Sequence, residues 1–184
     1  VMFERAQAEF WLGASHYRAL ELDEARPLWE RYANSAGELV TLDPANPDYR
    51  LEQAYAMSNL GSLAVEQGDL ITADSAFAGA GAIFAGLAAA DPDDPDFKFE
   101  AAANDSWLAA VREADFDWPG AAEYRRAATQ AHTEVTAATG HPFHRRIEAE
   151  AWIKQATAEF ALGRVEAAFE AQSRALALYE GLAR

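Results

Sequence analysis

The sequence predicts an all-α protein made of one helical hairpin copied four times. Three observations predict it. Leu60, Gly61, Ala73 and Phe77 are matched 48 residues earlier by Leu12, Gly13, Ala25 and Trp29. Gly68 and Ala73 recur 95 residues later as Gly163 and Ala168. A fixed period of this size marks stacked structural units. Pro47, Pro95 and Pro142 then fall at one joint, spaced by 48 and 47 residues. Finally, the chain is 51% hydrophobic, much of it alanine, and has no long Val/Ile/Thr runs, which disfavours strands.

The elements follow in order. Phe3, Phe10, Leu12, Tyr17 and Leu20 recur at helical spacing and predict a first helix over 2–20. Asp23 is placed to cap a second helix over about 24–42, with Pro27 in its first turn, where a missing N–H costs little. Asn46 caps the third helix, about 47–67, with Pro47 at its first position. Asp69 caps the fourth, about 70–90. The connector Asp91–Asp96 then repeats Asp43–Asp48 almost residue for residue, and the fifth helix runs over about 95–114. Asp117 caps the sixth, which Gly140 closes in a left-handed conformation. Pro142 opens the seventh, Gly163 turns the chain, and the eighth occupies about 165–183. Short connections make consecutive helices antiparallel neighbours. The expected repeats are 1–46, 47–94, 95–141 and 142–184, forming a single repeat domain.

At 184 residues the chain is long enough for one domain with a sizeable core. Its formal net charge of -15 opposes nucleic-acid phosphates and anionic membrane surfaces. With no cysteine there are no disulfides and no thiolate chemistry. No apolar run is expected to reach the roughly 18 residues that span a bilayer. A cytoplasmic location is the expectation, with the periplasm also open. Val1-Met2-Phe3-Glu4 reads as mid-helix sequence, so the chain is expected to be part of a longer protein.

The recurring residues resemble the tetratricopeptide pattern W-x2-L-G-x2-Y, A-x3-F, P. The second unit gives Met57, Leu60, Gly61 and Ala64, then Ala73 and Phe77, then Pro92. The first gives Glu9, Leu12, Gly13 and His16, then Ala25 and Trp29, then Pro44. The third reads Asp105, Leu108, Ala109 and Arg112, then Gly120 and Tyr124. The fourth keeps Trp152, Ala156, Gly163 and Ala168, followed by Gln172. The period departs from the usual 34 residues, which points to a subtype with longer helices. The resemblance implies a right-handed α-solenoid of four such hairpins, about eight antiparallel helices. Gly or Ala at 13, 61, 109 and 156 is expected to admit close helix approach, and Trp29, Phe77 and Tyr124 to fill the space between successive hairpins.

The resemblance also implies that first helices line a concave groove for a peptide or partner segment. Carried over position by position, the candidates are Phe10, Tyr17, Tyr55, Asn59, Glu66, Trp107, Glu113, Lys154 and Phe160, beside smaller residues such as Ala103, Ser106, Ala110 and Glu150. Phe10, Tyr17, Tyr55 and Phe160 equally suit a core, because large apolar side chains at helical spacing are usually buried. Glu66, Glu113 and Glu150 oppose an acidic ligand, so the expected partner is apolar or basic.

The pattern His141, His144, Glu148 surrounds a helix start and is the weaker alternative, a metal site. The carboxylates of Asp91–Asp96 lack the glycine and downstream Glu of a calcium loop. No nucleophile elbow, phosphate-cradling loop or zinc-protease motif is present. The reading is therefore a non-catalytic interaction scaffold with no cofactor and no nucleic-acid or membrane partner. The alternative is a self-association module of a larger signalling or regulatory protein, dimerising through Phe169, Leu176 and Tyr179 of the C-terminal hairpin.

Overall fold

A computed structural model describes residues 1–183. Among them are eight α-helices: α1 Met2–Arg18, α2 Leu22–Leu42, α3 Pro47–Glu66, α4 Leu70–Ala90, α5 Pro95–Ala114, α6 Trp118–Thr139, α7 Pro142–Ala161 and α8 Val165–Leu182. They pack pairwise as antiparallel hairpins, the arrangement of a helical repeat protein. Two compact units result, Val1–Leu87 and the residues from Ala88 onward.

Side-chain caps start most of the helices. Asn46 accepts from the Asp48 and Tyr49 N–H groups, and Asp94 accepts from the Asp96 N–H at 2.8 Å. Asp69 accepts from the Thr72 N–H, and Asp117 from the Gly120 N–H, both at 3.0 Å. Helices α1, α2 and α8 have no side-chain cap, and α2 departs from expectation. It starts at Leu22, one residue before Asp23, and Glu21 provides no side-chain cap. Pro27 consequently lies inside the helix, beyond the first turn expected for it.

The four hairpin turns share one backbone device. Leu20, Gly68, Phe116 and Gly163 have φ of 60°, 73°, 60° and 72°. These are the left-handed values that cost a side chain energy. The device shortens α1 to Arg18, two residues before the end expected from periodicity. Nothing in residue type announces it at Leu20 or Phe116. Only their register with the two glycines does.

In the first unit, Trp29 lies on Gly13 and Phe77 on Gly61. A Cβ added at Gly13 would stand 2.4 Å from the indole, and one at Gly61 3.0 Å from the Phe77 ring. These aromatics therefore fill the seam within each hairpin, and Trp29 also belongs to the buried cluster that includes Ala56 and Leu63 of α3. Between α2 and α3, the buried Glu52 accepts from the Tyr32 hydroxyl at 2.5 Å and from Gln7 of α1. Burial raises the Glu52 carboxyl above its ordinary range, and burial beside that carboxylate raises the Tyr32 phenol.

In the second unit the register corrects a further expectation. The residue one period beyond Phe77 is Arg125, not Tyr124. Arg125 is buried, and it donates to both Glu113 carboxylate oxygens at 2.8 Å and to the Ser106 carbonyl at 3.1 Å. A buried ion pair thus takes the place of an aromatic ring. Glu159 is also buried and accepts from Arg126 of α6 at 2.7 Å and from Arg164 at 3.1 Å, tying α6, α7 and the start of α8 together.

One expectation about membranes also changes. Helix α4 is long and apolar enough to cross a bilayer by length and composition, with mean hydropathy 1.5 over its best window. Its stripe of Ala73, Phe77, Ala80, Phe84 and Leu87 is buried in the protein. Leu70, Ile71, Ile83 and the alanines on its other faces supply the remaining hydropathy.

Candidate partner-binding groove

The first unit uses most of its candidate groove residues as packing. Phe10 stands edge-on to Trp11 at 5.0 Å and against Tyr32 at 5.5 Å. Tyr17 lies 5.0 Å from the Trp29 ring, and its hydroxyl donates to Glu66 at 3.4 Å. Tyr55 packs on Phe84 at 5.8 Å. All three rings are half-buried against the core of this unit. Asn59 is half-buried with its Nδ2 lacking a hydrogen-bond partner, and the Glu66 carboxylate is exposed.

The second unit brings candidates together around a cavity of about 300 Å³. Its walls are Phe99, Ala103, Ser106, Trp107 and Ala110 of α5 and Ile147, Glu150 and Lys154 of α7. His132 of α6 also lines it. Trp107 keeps 41% of its surface exposed. Helical periodicity explains the convergence. Positions 99, 103, 106, 107 and 110 share one face of α5, and 147, 150 and 154 share one face of α7.

The origin of this cavity is legible one repeat earlier. Tyr55 and Phe84, which touch in the second hairpin, become Ala103 and His132 after a step of 48. A tyrosine has been exchanged for alanine and a phenylalanine for histidine. The cavity lies where these two replacements meet.

Charge on the candidate residues around the cavity is unevenly compensated. Glu113 is held by Arg125, and Glu150 pairs with Arg146. Lys154 has no ion-pair partner among the described residues, and its side chain is exposed. Two carboxylates that argued against an acidic ligand are therefore neutralised in this unit. His132 is 3% exposed and meets the Phe99 ring edge-on at 5.4 Å. Among the described residues nothing hydrogen-bonds its imidazole. Burial, helped by nearby His144 and Lys154, pushes its pKa down to about 4, so the ring is neutral at pH 7.

Phe160 stands apart from these residues. It is 67% exposed and lines a different cavity, of about 390 Å³, with Ala156, Thr157, Val165, Ala168, Phe169 and Gln172. Gln172 occupies the register of Trp29, Phe77 and Arg125 but is exposed, so the seam of this hairpin lacks its filler.

The metal alternative is corrected by the local geometry. His141 Nδ1 accepts from the Phe143 N–H at 3.2 Å as the cap of α7. His144 Nδ1 is 2.8 Å from the Thr139 hydroxyl. Glu148 is buried and accepts from Thr133 at 2.9 Å and from the Trp152 indole at 3.3 Å. Among the described residues no group of three His, Asp or Glu side chains is arranged to hold a metal ion.

Sequence reasoning missed Phe99, His132 and Ile147. Aligning Tyr55 and Phe84 with Ala103 and His132 was the signal available for His132 and for the vacancy beside it.

No family model matches the chain, and no curated protein matches it. Solved structures do. A chain of the DHF58 filament is similar over 98% of this chain and 93% of its own, with TM-score 0.55 and 16% identity. The de novo designed helical repeat protein DHR64 is similar over 98% and 92%, with TM-score 0.52 and 17% identity. MamA protein matches over 98% and 94%, with TM-score 0.43 and 15% identity. At these identities the first two establish the fold class, a helical repeat.

Proposed function

We propose that this chain is a non-catalytic interaction scaffold of tetratricopeptide type, and that it takes a protein or peptide segment on the face shared by α5 and α7. The observation that carries the reading is the cavity between those helices. It gathers an exposed Trp107, apolar walls and an unpaired Lys154 on helices that packing holds rigid. A concave, mostly apolar site with a few convergent polar groups is the usual form of a binding site. The segment it suits is anchored by an apolar side chain. A basic partner loses its reason in this unit, because Glu113 and Glu150 already have cations. A cytoplasmic setting is proposed with the same reading.

A displayed peptide library selected on the whole chain tests this. Enriched sequences are expected to lose binding to an Ala103→Phe, Lys154→Glu variant whose melting midpoint is unchanged. Binders indifferent to both substitutions would place the partner surface elsewhere.

A second reading, self-association, is favoured by the unfilled seam of α7 and α8. Val165, Phe169 and Leu176 are all exposed beside it, an apolar face of the kind that marks interaction sites. The proposed occupant is the α1 face of a second copy, where Trp11 and Leu12 are also exposed. This copies the way a first helix packs on the preceding hairpin. The contact is heterologous and leaves each complex open to further addition. Sedimentation should show growth with concentration that Phe169→Asp abolishes. A species monomeric at every concentration rules this reading out.

A further inference from the structure

We infer that the α5–α7 cavity is a receptor for one tyrosine side chain of the partner segment, with the ring where Tyr55 sits one repeat earlier and the phenol hydrogen-bonded to His132. The inference rests on the groove reading above and narrows it to one kind of anchor. Three observations support it independently.

The first is shape. The second hairpin fills the corresponding place from within, by packing Tyr55 on Phe84 at 5.8 Å. The third hairpin has Ala103 and His132 at those positions, and the cavity of about 300 Å³ is what remains. Its walls of Phe99, Trp107 and Ile147 offer an aromatic guest the edge and face contacts that rings prefer.

The second is an unmet hydrogen bond. His132 lines the cavity, is 3% exposed, and has no hydrogen bond among the described residues. A neutral imidazole carries one donor and one acceptor. In a cavity wall and without a protein partner, that ring is open to a guest's donor or acceptor. A phenol has an apolar body and a tip that both donates and accepts, so it matches a cavity with apolar walls and a histidine. A phenylalanine guest leaves the imidazole unanswered, and a lysine or arginine guest meets the charge of Lys154.

The third is that same charge. Lys154 lines the cavity with no partner among the described residues. It favours an acidic residue beside the tyrosine, even though the chain as a whole is at -15.

Blocked hexapeptides test this on the whole chain: acetyl-Gly-Ser-Tyr-Glu-Ser-Gly-amide, its Phe analogue at the Tyr position, and its Lys analogue at the Glu position. Nuclear magnetic resonance follows the His132 imidazole and the Trp107 indole during titration. The Tyr peptide is expected to bind about fivefold more tightly than the Phe peptide, the ordinary worth of one hydrogen bond. It is also expected to be the one that shifts the imidazole resonance. The Lys peptide should bind about threefold more weakly, as for an exposed ion pair. His132→Phe restores the Phe84 residue type and should erase the Tyr-over-Phe preference. Ala103→Tyr should fill the cavity from inside and abolish binding. Should either variant fail to fold, the comparison of peptides on the natural chain still decides. Equal binding of the Tyr and Phe peptides overturns the tyrosine assignment and leaves the groove reading standing. No response at His132 or Trp107 to any peptide at millimolar concentration overturns both at this cavity.

Discussion

Replacing Leu20 and Phe116 by glycine is expected to stabilise the protein. Both residues sit at φ 60° in the hairpin turns, where the chain places Gly68 and Gly163 one repeat later in each case. A side chain in the left-handed region costs roughly 1–2 kcal/mol. Glycine removes that strain but gives back about 0.4–1 kcal/mol through a freer unfolded chain. Little burial is lost, because Leu20 is 75% exposed and Phe116 80%. The net gain is about 0.5–1 kcal/mol at each turn, and the two turns share no partners, so the double variant gains about 1–2 kcal/mol. For a protein of this size that raises the melting midpoint by about 3–6 °C. Circular dichroism at the helical band during heating reads the shift. The reverse substitution, Gly68→Leu, should lower the midpoint by a similar amount. If Leu20→Gly and Phe116→Gly leave the midpoint unchanged or lower it while Gly68→Leu is silent, the strain argument fails.

Three further outcomes are expected. Gly13→Ala should cost about 1–3 kcal/mol, because its Cβ would stand 2.4 Å from the Trp29 ring, while Gly79→Ala should cost less, since its Cβ meets only the mobile end of Met57; comparing the two melts checks this. Arg125→Ala should cost about 3–5 kcal/mol by orphaning Glu113, whereas the double change Arg125→Phe, Glu113→Val copies Phe77 and Val65 and should be neutral or stabilising by denaturant titration. Burial holds the Asp105 carboxyl up to about 6, so its contribution to stability falls as pH rises from about 4 to 6. His132, held down to about 4, works the other way, with stability lost as pH falls from about 6.5 to 4. Asp105→Asn should therefore gain about 2 kcal/mol at pH 7 and almost nothing at pH 4. A gain that does not depend on pH would mean that Asp105 is not held protonated by burial.

The hairpin count and every joint were readable because the signals are local. Asn46, Asp69 and Asp117 cap where short-range chemistry says they should. Pro142 opens α7, and Gly140 closes α6 at φ 61°. The turns at Leu20 and Phe116 were not readable residue by residue, because each breaks the usual preference and is held by the surrounding hairpin. Arg125 was missed for a related reason. Matching residue type favoured Tyr124 for an aromatic slot, but the period of 48 outranks type, and a paired guanidinium fills the slot as well. At the site, the α5 and α7 faces follow from helical periodicity. Which faces hold open space does not. That depends on whether a neighbouring side chain fills it, as Tyr55 does and Ala103 does not.

Three of the four seams are closed, each by a different material: an indole at Trp29, a phenyl ring at Phe77 and a guanidinium–carboxylate pair at Arg125; the fourth, where Gln172 is exposed, stays open. The hairpins should therefore loosen in sequence under stress instead of together. Amide protons of α7 and α8 are expected to exchange with solvent first.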